Sequence, residues 1–244
     1  MILTLPHGRF VECRDGTHDE LVFRESWLDD TYRMTTLPKP HGGYALDLGA
    51  NVGAWSTLAA TAGAQVIAVE CWRENITRMV ANVDAFDLGE LMIIEAAVTG
   101  RHVHEKSVLV GGDGAEVQTS IFVGEALPRV PAIHIDELLM MRERWWCMKV
   151  DIEGDEYEVL NAATPGLLNR VDYIVGEFHG PKMSNCFDWI DDAQYGELMT
   201  TLAGWGNITT MGLPERGGNF FGHRYGVEAP VVPAEHVPIQ TWLR

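Results

Sequence analysis

The sequence has 244 residues, 46% of them apolar, with 35 acidic and 18 basic side chains giving a formal charge of −17. That length and apolar content support one domain with a full core, with or without an arm. The charge argues against a sequence-independent grip on nucleic acid and against an anionic membrane surface, and with no apolar run of 18 residues and no basic-then-apolar opening, neither a span nor a secretion signal is expected.

In chain order, Ile2–Leu5 and Arg9–Cys13 suit a hairpin across Pro6-His7-Gly8. Asp19 to Met34 places Leu21, Val22, Trp27, Leu28 and Tyr32 in one or two short helices, and Pro38 and Pro40 then mark a boundary. Residues 1–40 therefore read as an N-terminal cap segment, lying over a site or over a sheet edge.

Tyr44 to Leu48 is a short apolar run that suits a buried strand. It breaks at Gly49, and a helical pattern resumes at about Val52 and stops at Gly63. Strand, glycine turn and helix start make a nucleotide-binding corner. Gly49 allows the sharp turn and the close approach of a ligand, and Gly53 allows tight packing of the helix on the strand. Asp47 puts an acceptor at the strand's carboxyl end. Gln65 to Glu70 reads as the next strand, ending in an acid 23 residues after Asp47, where it can accept both hydroxyls of a ribose. A nicotinamide-dependent oxidoreductase needs G-x-G-x-x-G here, but the pattern is D-x-G-x-N-x-G.

A helix over Glu74 to Phe86 and a third strand over Leu91 to Val98 continue the alternation, which predicts a mostly parallel sheet with helices on both faces. Residues 101–131 break the rhythm as an inserted hairpin, a common way to build the substrate side. Ser120 within it reads as a surface hydroxyl or a ligand contact. Ile133 to Arg142 is a strand and helix. Trp145 to Asp151 is the fourth core strand, and a helix opens within Asp151–Glu156 and runs to about Ala163. Tyr173 to Phe178 is the fifth strand, Asp188 to Gly204 a helix, Ile208 to Thr210 a sixth strand, and Gly217 to Tyr225 completes a late hairpin pattern. The tail 229–244 holds Pro230, Pro233 and Pro238 and is expected to be extended, packed on its own domain or on a second subunit of a homo-oligomer. Cysteines 13, 71, 147 and 186 are far apart, which predicts free thiols in a reducing, cytoplasmic compartment.

Several blocks together resemble the FkbM-type family of S-adenosylmethionine-dependent methyltransferases. They are Leu46-Asp47-Leu48-Gly49-Ala50-Asn51-Val52-Gly53, Val69-Glu70, Ala96-Ala97-Val98, Ile135-Asp136-Glu137-Leu138-Leu139, Met148-Lys149-Val150-Asp151-Ile152-Glu153-Gly154-Asp155-Glu156 and Gly176-Glu177-Phe178-His179. The resemblance covers roughly residues 42–180, and the K-x-D-I-E-G block is the most specific. It implies a class I, Rossmann-like methyltransferase domain over residues 41–228, with a seven-stranded sheet whose last strand runs antiparallel. It further implies a cytosolic O-methyltransferase acting on a hydroxyl of a glycan, sugar or small natural product. By position, Asp47, Gly49, Asn51, Gly53 and Glu70 would line S-adenosylmethionine, Asp151 would lie beside it, and Ala97 or Glu95 would lie near the adenine.

Removing a hydroxyl proton calls for a base or a metal. Asp151, Glu177 and His179 end adjacent strands, and Glu177 and His179, two apart, can share a face. His179 is the expected base, with Asp151 orienting it or the acceptor; a loop histidine bonded to backbone is the plainer alternative. Asp151 and Glu153 could equally serve as acids at a helix start. A magnesium or manganese ion on Asp151, Glu177 and His179 is the other route. A non-catalytic nucleoside-binding scaffold with the same fold is the remaining rival.

Overall fold

The computed structural model describes residues 1–88, 91–110, 117–119, 128–180, 191–213, 217–231 and 239–243. The chain runs β1 (Ile2–Thr4), β2 (Phe10–Glu12), α1 (Asp19–Trp27), β3 (Tyr44–Leu48), α2 (Ala54–Thr61), β4 (Gln65–Glu70), α3 (Arg73–Ala85), β5 (Met92–Glu95) and β6 (Ala97–Thr99). It continues with β7 (Glu105–Val110), β8 (Val117–Thr119), β9 (Arg129–His134), α4 (Ile135–Met140), β10 (Trp145–Val150), α5 (Glu156–Ala162), α6 (Pro165–Leu168) and β11 (Val171–Phe178). It closes with α7 (Asp192–Trp205), β12 (Gly206–Leu213), β13 (Gly217–Arg224) and α8 (Ile239–Trp242).

The main sheet has the order β12-β13-β11-β10-β3-β4-β5. β11, β10, β3, β4 and β5 pair in parallel, while β13 runs antiparallel to both β11 and β12. The sheet is therefore mixed, with one reversed strand, as a class I methyltransferase sheet requires.

Alternation along each strand sorts the side chains to two faces. Leu46, Leu48, Met148, Val150 and Ile174 pack under α4, α5 and α7. Ala45, Cys147, Tyr173 and Val175 face the other way, against Phe23 and Trp27 of α1, Trp55 and Leu58 of α2, and Trp242 of α8. The same parity puts Asp47, Lys149 and Glu177 on the α1 face, and Asp47 and Lys149 are register partners. The N-terminal segment thus covers a sheet face, and at its upper end it meets the polar residues of the strand tips.

Three expectations need correction. Leu91 to Val98 is not one strand: β5 stays in the main sheet, and after Ala96 the chain departs as β6 into a second sheet ordered β6-β9-β7-β8. The helix after β10 begins at Glu156, so Asp151 and Glu153 lie in a loop ahead of it rather than in its first turn. The tail is not wholly extended, since Ile239–Trp242 forms a helical turn whose Trp242 Nε1 donates to Leu37 O at 3.0 Å. Ser120, Cys186 and the expected start of α7 at Asp188 lie outside the described residues. Cys13 and Cys147 are buried free thiols, and Cys71 is a half-buried one. Among the described residues, no helix is long and apolar enough to cross a membrane.

Candidate active site

A small cavity lies beyond the carboxyl ends of β3, β4, β5 and β10, where ligands bind in open parallel sheets. Gly49, Asn51, Glu70 and Asn75 form its polar side; Val69, Ala96, Ala97, Val98 and Ile152 form its apolar side; Asp151 and Glu153 stand at one end. Gly49 has φ +75°, and a side chain there would run into the Asp151 carbonyl, so glycine is required both by the turn and by the neighbouring loop. Asn51 is also left-handed, at φ 49°, and its N–H donates to Glu70 Oε2 at 2.8 Å. Glu70 Oε1 accepts the Trp72 N–H, also at 2.8 Å. Burial pushes the Glu70 carboxyl up, while these two N–H groups favour its charged form. Each oxygen keeps lone-pair capacity for a further donor.

Asp47 is placed differently from expectation. It is fully buried and does not line the cavity. Ser56 Oγ donates to its Oδ2 at 2.6 Å, and Lys149 Nζ lies 3.5 Å from its Oδ1. Gly53 also lies off the cavity, where a side chain would meet Met79 of α3; the close packing it allows is helix on helix. Glu95 turns outward to Arg73, at 2.7 Å, leaving Ala96 and Ala97 as the wall.

Beside the cavity, Asp151, Glu177 and His179 each offer an atom within 4.8 Å of the others. Lys149, almost fully buried, donates to Gly49 O at 2.8 Å and lies 3.3 Å from Asp151 Oδ2. Burial alone would lower its pKa, but the Asp151 and Asp47 charges raise it, so the site holds a permanent ammonium. Burial would raise the Asp151 carboxyl; the Lys149 and His179 charges, with hydrogen bonds from Tyr32 and Lys149, keep it below the usual range.

His179 is 4% exposed, and both of its ring nitrogens have carboxylate partners. Nδ1 lies 3.1 Å from Glu156 Oε1 and Nε2 lies 3.3 Å from Glu153 Oε2. Burial would lower its pKa, but the Glu156 charge and the bonds to Glu153 and Glu156 raise it well above the ordinary histidine value. The two carboxylates favour its protonated form, which ties the loop to the end of β11 and leaves no lone pair to take a proton. Glu156 is the keystone of that loop: fully buried, it also accepts the Ile152 N–H at 2.8 Å and the Gly154 N–H at 3.0 Å. The wrapped loop leaves Glu153 left-handed at φ 56°. The metal reading gains no support from these contacts: both ring nitrogens of His179 face carboxylates, and Lys149 sits beside Asp151.

Glu177 has the opposite character. Burial, reinforced by the Asp151 charge, pushes its carboxyl up to about 8, and Asn219 Nδ2 donates to its Oε1 at 3.0 Å. Two residues without a local sequence signal also reach the cluster. Tyr32 donates to Asp151 Oδ2 at 2.8 Å, and Glu25 of α1 is pushed up to about 7 by burial and by the Asp151 charge.

The strand order with its reversed β13, and a cavity walled by a glycine turn and an acid ending the next strand, define a class I methyltransferase. The family model for the methyltransferase FkbM domain matches residues 47–208, well over half of the chain. The chain belongs to the FkbM methyltransferase domain family. The nicotinamide-dependent oxidoreductase alternative falls with that assignment.

Among solved structures, a crystal structure of WbdD aligns with a TM-score of 0.49 at 12% identity, over 86% of this chain and 40% of that one. An rRNA methylase from Streptococcus thermophilus gives 0.47 at 8%, over 82% and 96%. Precorrin-6y C5,15-methyltransferase from Geobacter metallireducens GS-15 gives 0.45 at 11%, over 80% and 88%. The chain thus spans 40% of the length of that WbdD chain. A search of curated proteins gave no significant match.

Proposed function

We propose that this protein transfers a methyl group from S-adenosylmethionine to a hydroxyl of a sugar, glycan or small natural product. The observation that carries the reading is the continuity of the cavity with the cluster: Asp151 lines the first and belongs to the second. The donor is the one the family implies, and the cavity suits it. Glu70 offers two oriented carboxylate oxygens for ribose hydroxyls, and the Ala96–Val98 stretch with Ile152 offers an apolar wall for a base. When bound, the donor supplies an electrophilic methyl carbon on a sulfonium.

The chain's own task is to hold the acceptor oxygen and to take its proton. Glu177 is the base in this reading. Its pKa of about 8 lies close to neutrality, where a carboxylate is a much stronger proton acceptor than an ordinary glutamate. Asp151 stays ionised and orients the acceptor, with Lys149 balancing its charge. His179 acts through the loop it fastens, as a positioning residue. The family resemblance and the −17 charge support a small or glycan acceptor over nucleic acid.

Calorimetric titration with S-adenosylmethionine and S-adenosylhomocysteine, with NADH as control, tests the donor. A panel of hydroxylated sugars and phenols, followed by mass spectrometry for a methyl gain, tests the acceptor. Adenosyl binding that is micromolar and lost in Glu70→Ala supports the reading. Absence of adenosyl binding would leave a scaffold that kept the fold.

A further inference from the structure

Tyr32 lies outside the residues matched by the family model, yet it reaches the centre of the site. It is 3% exposed. Its ring lies over the Lys149 ammonium, 5.5 Å from the centroid, and its O–H donates to Asp151 Oδ2 at 2.8 Å. A wall that needed only apolar packing could use phenylalanine; a buried phenol needs a partner, and this one is directed at a carboxylate of the site.

The backbone around Tyr32 is held in an unusual shape. Asp30 and Arg33 are both left-handed, at φ 51° and 54°. Such positions are strained for non-glycine residues and persist where surrounding contacts enforce them. Here Thr35 Oγ1 donates to Asp30 Oδ2 at 2.5 Å, and Thr36 Oγ1 donates to Arg33 O at 2.7 Å. The tail clamps the turn from outside, through Val231 N–H to Thr36 O at 2.9 Å and Trp242 Nε1 to Leu37 O at 3.0 Å.

We propose that Tyr32 is a positioning residue of the acceptor site: its donated O–H fixes the Asp151 carboxylate against Lys149 and beside Glu177. Residues 19–37 are then part of the active site, and the matched family region alone is an incomplete one. The inference rests on the methyltransfer reading of the Asp151 and Glu177 pair. The charged groups that face Asp151 are Lys149 from β10, the strand that it follows, Asp47 from β3, Glu25 from α1, Glu177 from β11 and His179 just after it, and Glu153 from its own loop. Of these neighbours and Tyr32, Tyr32 and Lys149 each donate a hydrogen bond to Asp151.

The test is Tyr32→Phe in the full chain, which keeps the ring and its packing. Near-UV circular dichroism establishes that the variant is folded. Carboxyl 13C resonances are followed against pH in protein labelled at Asp and Glu, the Asp151 signal being assigned by its loss in Asp151→Asn. Loss of a bond to the charged form moves the Asp151 midpoint up. Affinity for S-adenosylhomocysteine stays unchanged, while turnover on the acceptor found in the panel falls about tenfold, as expected when a reacting group loses its orientation. A folded variant with the wild-type Asp151 midpoint and wild-type turnover overturns the proposal. If wild-type protein failed to bind S-adenosylhomocysteine, the methyltransfer reading would fall, and the carboxyl titration would still decide whether Tyr32 holds Asp151.

Discussion

His179 Nδ1 lies 3.1 Å from Glu156 Oε1, so the strand that carries Glu177 is fastened by charge to the loop that carries Asp151. His179→Ala would leave the fully buried Glu156 without that partner, a change that costs roughly 3–5 kcal/mol where a buried pair is broken. The folded pKa of His179 is raised, so its contribution is fully present below the unfolded value of about 6.5. The contribution disappears as pH rises through the higher folded value. Denaturant melts of wild type and variant should therefore differ most on the acid side of neutrality and converge in alkali. A gap that widens with pH would mean that the imidazole is neutral.

Glu177 must be ionised to accept a proton, and its pKa is about 8. Turnover should climb through that pH and then level off. Glu177→Gln should lower kcat by about 10²–10³ and leave adenosyl binding intact. A profile that stays flat across the same range would remove Glu177 as the base.

Lys149 balances Asp47 and Asp151 at once. Lys149→Met should destabilise the protein by roughly 3–5 kcal/mol. Adding Asp47→Asn should recover part of that loss, and a double-mutant cycle measures the coupling. Strictly additive effects would show that the two groups do not share their charge.

Glu70 binds two backbone N–H groups through its two oxygens. Glu70→Gln turns one oxygen into a donor that faces a donor. Loss of a charged hydrogen bond, about 1.5–3 kcal/mol, predicts a tenfold or greater rise in the S-adenosylhomocysteine Kd. Calorimetry reads this directly, and an unchanged Kd would place the ribose elsewhere.

Turnover should survive EDTA, because both ring nitrogens of His179 are committed to carboxylates. Loss of activity that magnesium or manganese restores would bring Asp151, Glu177 and His179 back as ligands.

The glycine corner and the acid at the end of the next strand were legible because each depends on a few consecutive residues. What depends on distant chain was not. Tyr32 and Asp151 are 119 residues apart, and no local pattern announces their contact. Leu91 to Val98 is apolar except for Glu95, and periodicity cannot tell that Ala96 donates its N–H to Glu70 O at 3.1 Å while Ala97 leaves for another sheet. The parity that put Glu177 and His179 on one face was readable; that Glu153 and Glu156 would take both imidazole nitrogens depends on a left-handed turn at residues 153–154, hinted at only by Gly154.

The clamp on residues 36 and 37 by residues 231 and 242 sets an order of events during synthesis. The turn that presents Tyr32 leaves the ribosome early, but the strands that carry Asp151 and Glu177 follow much later, and the tail later still. Until then α1 can pack on α2 and β3, but the rest of the sheet face that it covers is missing. Completion of the acceptor side is therefore a late folding step, and a stalled or truncated chain would hold a donor cavity with an open neighbour.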